Sequence, residues 1–135
     1  MEDKELFQMA ESVLENAYAP YSKFKVGAAL LSEDGRIFTG VNVENASYGG
    51  TICAERTACV KAVSEGAVNF RSIAVVSNKG KVCMCGICRQ FISEFSMDIE
   101  VITGEDSEHL QSVKLRDLLP DSFTLQDNVE EGRKK

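Results

Sequence analysis

Cys53-Ala54-Glu55-Arg56-Thr57-Ala58 and Cys85-Gly86-Ile87-Cys88-Arg89-Gln90 decide how this chain is read. Each stretch stands where a helix is expected to begin, and the apolar run Ser72-Ile73-Ala74-Val75-Val76 lies between them. A short, continuous apolar run of this kind reads as a buried strand. Helix, strand and helix in succession predict an α/β layered domain, a central sheet flanked by helices.

The flanking sequence extends this pattern. Lys25-Val26-Gly27-Ala28-Ala29-Leu30-Leu31 and Arg36-Ile37-Phe38-Thr39-Gly40-Val41 enclose Ser32-Glu33-Asp34-Gly35. Asp-Gly between two apolar runs is a hairpin signal. Residues 5–17 place Leu6, Phe7, Met9, Ala10, Val13, Leu14 and Ala17 at helical spacing, and Ala19-Pro20-Tyr21-Ser22 breaks the pattern. The helix opening at Cys53 is expected to reach residue 65, with Gly66 as its cap. A third helix is expected over 85–95, strands over 98–103 and 110–113, and a short helix over 115–119 that Pro120 stops. Residues 1–127 read as a single domain and 128–135 as a charged, frayed tail.

A length of 135 residues suits one domain with a real core. The net charge of −6 argues against nucleic acid as the partner, because a polyanion needs a basic face. No apolar run approaches membrane-spanning length, and Met1-Glu2-Asp3-Lys4-Glu5 lacks the basic and apolar regions of a signal peptide. Five cysteines, an odd number, suggest reduced thiols and metal ligation in the cytoplasm, not a disulfide framework.

Both cysteine elements fall at helix starts, where free N–H groups and the helix dipole stabilise thiolates. Cys53, Cys85 and Cys88 are thus candidate ligands of one zinc ion. A structural zinc closes its shell with four protein ligands, whereas a catalytic one keeps a position open. Three thiolates with Glu55 nearby therefore point to zinc-activated water and a hydrolytic enzyme. Glu55 follows Cys53 by two positions, so it projects to another side of the helix and reaches the water without binding the metal. Cys83 remains an alternative ligand, although Cys85 and Cys88 share the helix start. Cys59, six positions beyond Cys53, turns about 240° away and reads as core. The single histidine, His109, sits among polar residues and reads as exposed. Read alone, Glu55 also suits a first helical turn, Phe24 a core, and Asn42 and Glu44 a solvated turn.

At these residues the chain resembles the zinc-dependent cytidine deaminase family, in its small, homo-oligomeric, nucleoside-acting branch. Phe24-Lys25-Val26-Gly27-Ala28-Ala29, Asn42-Val43-Glu44-Asn45-Ala46-Ser47-Tyr48-Gly49 and the two cysteine stretches match its pattern. Leu118-Leu119-Pro120 and Phe123 resemble its C-terminal segment, so the likeness covers residues 5–127. It implies a three-layer fold around a mixed sheet, with Cys53, Cys85 and Cys88 holding zinc and Glu55 moving protons. It further implies that Phe24 packs on the pyrimidine, Asn42 and Glu44 bind ribose hydroxyls, and the Ala54 N–H meets the base carbonyl. Arg56 would support the thiolates, while Ala46, Tyr48 and Phe123 would complete a neighbour's site in a homotetramer. The implied reaction is hydrolysis of cytidine or deoxycytidine to the uridine nucleoside and ammonia, a step of pyrimidine salvage. Two rivals stand beside it. One is a blasticidin S-type aminopyrimidine deaminase, the other a non-catalytic zinc-binding module. One position departs from the pattern: Met84 stands where the family places Pro, a change that would either loosen the loop or expose a donor N–H near the sulfur.

Overall fold

The computed structural model describes residues 1–125; the tail expected at 128–135 lies outside them. In chain order the elements are α1 (Asp3–Ser12), β1 (Val26–Ser32), β2 (Ile37–Val41), α2 (Ala54–Ser64), β3 (Phe70–Ser77), α3 (Gly86–Ser93), β4 (Glu100–Asp106), β5 (His109–Lys114) and α4 (Leu115–Leu118). The five strands form one sheet in the order β2-β1-β3-β4-β5. Only the β3–β4 pair is parallel, so the sheet is mixed.

Period-two alternation sorts the strand residues into two cores. Ala28 and Leu30 of β1, Ile73 and Val75 of β3 and Val101 of β4 face α2 and α3. Ala29 and Leu31, Ala74 and Val76, and Ile102 face α1, where Leu6, Phe7 and Ala10 cover them. That gives three layers, with α1 on one side and α2 and α3 on the other. The strand β1 is buried along its whole length, because the sheet continues on both of its edges and helices cover both of its faces.

The predicted elements are present, with one correction. The first helix stops at Ser12, and a separate 3-10 turn over Leu14–Asn16 replaces its expected last turn. The tighter turn redirects the chain so that Tyr18 bridges to Val43 beside β2. At the other end, Glu2 and Glu5 form a reciprocal capping box that fixes the helix start. Gly66 takes φ +91, a left-handed cap that a side chain would strain.

The packing of α2 on β2 sets up the site. A Cβ on Gly40 would lie 2.4 Å from Ala58 N and 2.7 Å from Ala54 O. Only glycine lets the first turn of α2 approach the strand so closely. The parallel crossover from β3 to β4 carries α3 onto the same face, where it meets α2.

Candidate active site

Cys53 and Cys85 are the N-cap residues of α2 and α3, with nearly identical backbone conformations (φ −75, ψ 156 and φ −71, ψ 162). Cys88 lies within the first turn of α3 and is fully buried. Two helix starts thus present three sulfurs to one point. Cys53 Sγ lies 3.6 Å from Cys85 Sγ, and Cys85 Sγ lies 3.4 Å from Cys88 Sγ. Zinc–sulfur bonds of ~2.3 Å in a tetrahedron place neighbouring sulfurs about 3.8 Å apart, so the trio fits zinc with little adjustment. The cluster, with ligand atoms within 4.8 Å of one another, contains these sulfurs and no carboxylate oxygen. Cys83, the alternative ligand, is exposed and outside it.

The surroundings of the sulfurs favour ionisation of Cys53. Hydrogen bonding from Cys88 holds the Cys53 thiol down to about 5, against burial and with help from Arg56. The same contact and burial push the Cys88 thiol up, so the metal-free trio keeps a proton that a dication would displace. Arg56 Nη2 approaches Cys53 Sγ at 3.6 Å and Thr51 O at 3.4 Å. Its Nε is buried without a hydrogen-bond acceptor among the described residues, so this cation sits in surroundings that favour more negative charge nearby.

Glu55 is 4% exposed, and burial pushes its carboxyl up to about 7, the Cys53 charge adding to the shift. A carboxyl poised near neutrality can both take and give a proton. It shares a cavity of about 340 Å³ with Cys53, Cys85, Ala54, Phe24, Asn42 and Glu44. That volume is at the small-molecule end of ligand sites. Val26, Ile52 and Val82 make its walls largely apolar, and no Lys or Arg among the described residues lines it.

Asn42 and Glu44 are less free than an extended pair would be. Asn42 Oδ1 accepts from Val26 N–H at 2.9 Å, and its Nδ2 donates to Phe24 O at 2.8 Å. One N–H and one lone pair remain on that amide. Glu44 accepts from the N–H groups of Tyr21 and Ser22 and from the Ser22 hydroxyl. The Ser22 contact, above all, holds the Glu44 carboxyl below its ordinary range, so it is ionised at neutral pH. Sequence reading missed Ser22 and Thr51, both of which line the cavity. Serine and threonine in loops carry no signal of their own.

Ala46, Tyr48 and Phe123 lie outside this cavity and are exposed, Tyr48 by 81% and Phe123 by 64%. Phe123 is tied by its backbone to Gln90. Cys59 is core, and burial pushes its thiol up to about 11. His109 is exposed and paired with Asp106 at 2.8 Å. Met84, in the place of the family's proline, is held at two points. Its side chain is buried in the main core, and its carbonyl accepts from Arg89 Nε at 2.8 Å. Burial thus supplies a restraint where proline would have fixed φ.

Residues 1–104 match the family model of the cytidine and deoxycytidylate deaminase zinc-binding region. The chain belongs to this family. The cytidine deaminase of Halalkalibacterium halodurans is 46% identical over 129 residues, 94% of this chain and 98% of that one. The probable cytidine deaminase of Dictyostelium discoideum is 48% identical over 122 residues, covering 89% and 82% of the two chains. The crystal structure of cytidine deaminase from Burkholderia pseudomallei superposes with a TM-score of 0.86 at 45% identity, over 91% of this chain and 100% of that one. The family's zinc-binding region spans Cys53, Cys85 and Cys88, which are the three sulfurs that converge here.

Proposed function

We infer that this chain is a zinc-dependent hydrolase converting cytidine or deoxycytidine and water to the uridine nucleoside and ammonia. The observation that carries this is the convergence of three sulfurs beside buried Glu55 in an apolar cavity that Phe24 borders. Zinc held by Cys53, Cys85 and Cys88 supplies Lewis-acid activation of water at neutral pH. Glu55 accepts a proton from the attacking water and passes it to N3 of the ring. Glu55 then takes the remaining proton of the hydroxyl added at C4 and gives it to the amine as the C4–N bond breaks, leaving the C4 carbonyl and ammonia. Both protons of the water are thus placed, one on N3 and one on ammonia, and the carboxylate ends as it began.

Phe24 packs against the pyrimidine, and the Ala54 N–H, unpaired in the first turn of α2, meets the base carbonyl. Asn42 has an N–H and a lone pair left for ribose, and ionised Glu44 accepts from a hydroxyl. Arg56 supports the thiolates. No cation among the described residues lines the cavity, which favours a nucleoside over a phosphorylated substrate. Tyr48, Ala46 and Phe123 face outward and serve a neighbouring copy's site, which makes the working form a symmetric homo-oligomer, a tetramer. Residues 1–127 make the catalytic domain. Five free thiols suit the reducing cytoplasm, and no helix among the described residues is long and apolar enough to cross a membrane.

Ammonia release with cytidine, deoxycytidine and blasticidin S in parallel tests this reading. Turnover of the two nucleosides well above the antibiotic is expected. Preference for blasticidin S would overturn the nucleoside assignment, and no turnover by zinc-loaded protein would leave only a binding module.

A further inference from the structure

The segment that carries Phe24 is held by side chains on both sides as well as by the sheet. Asn78, the first residue after β3, makes three hydrogen bonds to it. Its N–H donates to Lys25 O at 3.0 Å, its Oδ1 accepts from Lys25 N–H at 3.0 Å, and its Nδ2 donates to Lys23 O at 3.1 Å. Lys23, the first of those anchor points, takes φ 62, a left-handed conformation that side chains rarely adopt. On the opposite side, Ser22 Oγ accepts from Phe24 N–H at 3.0 Å, and Asn42 grips Phe24 O. Phe24 is therefore fixed between two sets of polar contacts, and the Asn78 set spans more than fifty residues of sequence.

We propose that Asn78 is a positioning residue for the base-binding wall: it holds Lys23 left-handed and so presents the Phe24 ring to the cavity. The backbone has a reason to leave this shape. A non-glycine residue at positive φ persists only where its surroundings over-determine it. Asn78 contributes an acceptor and two donors at the carbonyl of that residue and at Lys25 beyond it, and no other side chain contacts Lys23 O among the hydrogen bonds of the described residues. The same residue directly follows β3 and opens the loop that delivers Cys85 and Cys88. One amide thus ties the Phe24 wall to the strand that leads into the ligand helix. This inference rests on the reading that Phe24 faces the pyrimidine.

Steady-state kinetics with cytidine, together with amide exchange at Lys25, test it on Asn78→Ala, Asn78→Asp and Asn78→Ala/Lys23→Gly in zinc-loaded full-length protein. Asn78→Ala should raise KM about three- to tenfold, the worth of roughly one net hydrogen bond, with kcat within about twofold and zinc unchanged. Lys25 exchange should accelerate. Asn78→Asp keeps the acceptor for Lys25 but turns an oxygen on Lys23 O, so its KM should rise alike; it serves if the alanine variant folds poorly. Glycine adopts positive φ without help, so Lys23→Gly should bring KM back to within about twofold of the parent. Faster Lys25 exchange with KM unmoved would overturn the positioning role and leave only a structural tie. A raised KM that glycine does not recover would overturn the link through Lys23. A parent protein without cytidine turnover would instead overturn the functional reading on which the inference rests.

Discussion

Cys53 Sγ and Cys85 Sγ lie 3.6 Å apart, although 32 residues separate them in the chain. What joins them is the shared role of N-cap on two helices that pack on one face of the sheet. X-ray absorption of purified protein should show about one zinc per chain, bound by three sulfurs and one light atom. A fourth sulfur would bring Cys83 into the shell and remove the open position.

The site also depends on Gly40, which has no chemistry of its own. Gly40→Ala would drive a methyl group into the backbone of α2 at Ala54 and Ala58. The backbone has no flexible end to give way, so a loss of about 1–3 kcal/mol is expected. Because Cys53 caps that helix, zinc content should fall as well. Denaturant unfolding and metal analysis on the same samples check both; parent-like stability would contradict the close approach.

Asp34 gives a pH-dependent prediction far from the site. In the β1–β2 turn it accepts from Arg36 Nε and N and from the Ser32 hydroxyl, and these contacts hold its carboxyl well below the usual range. A depressed carboxylate adds stability that is present above its unfolded pKa and is lost as pH falls through the folded one. Asp34→Asn should thus lower the melting temperature modestly at neutral pH, and the gap should close in strong acid. A gap that stays constant down to pH 2 would remove the ionic contribution.

Assembly can be tested at Phe123, whose ring is 64% exposed and away from the cavity of its own chain. Phe123→Ala should raise KM several-fold without loss of zinc, and light scattering should show a multimer in the parent. A fully active monomer at assay concentration would refute the shared site.

The two helix starts were legible because cap position and cysteine spacing are local properties, readable within a few residues. So were the hairpin at Asp34-Gly35 and the buried strand ahead of the second cysteine pair. The early end of α1 was not, because the apolar spacing of Val13, Leu14 and Ala17 continues past Ser12, where the chain turns toward the Tyr18–Val43 bridge. Asn78 and Ser22 were invisible for the same reason. Their partners are backbone groups and a carboxylate brought close only by the folded sheet, and exposed Asn and Ser residues are common in any loop. Glu44 was found by its motif, but its hold on Tyr21 and Ser22 needed the structure.

The central claim is that Glu55 moves the protons, and Glu55→Gln tests it most directly. Glutamine keeps the shape and hydrogen bonding of the carboxyl but cannot exchange a proton at neutral pH. Cytidine-dependent ammonia release should fall by at least ~10²–10⁴ while zinc content and the folded state match the parent. Parent-like turnover by zinc-replete Glu55→Gln protein would contradict the account.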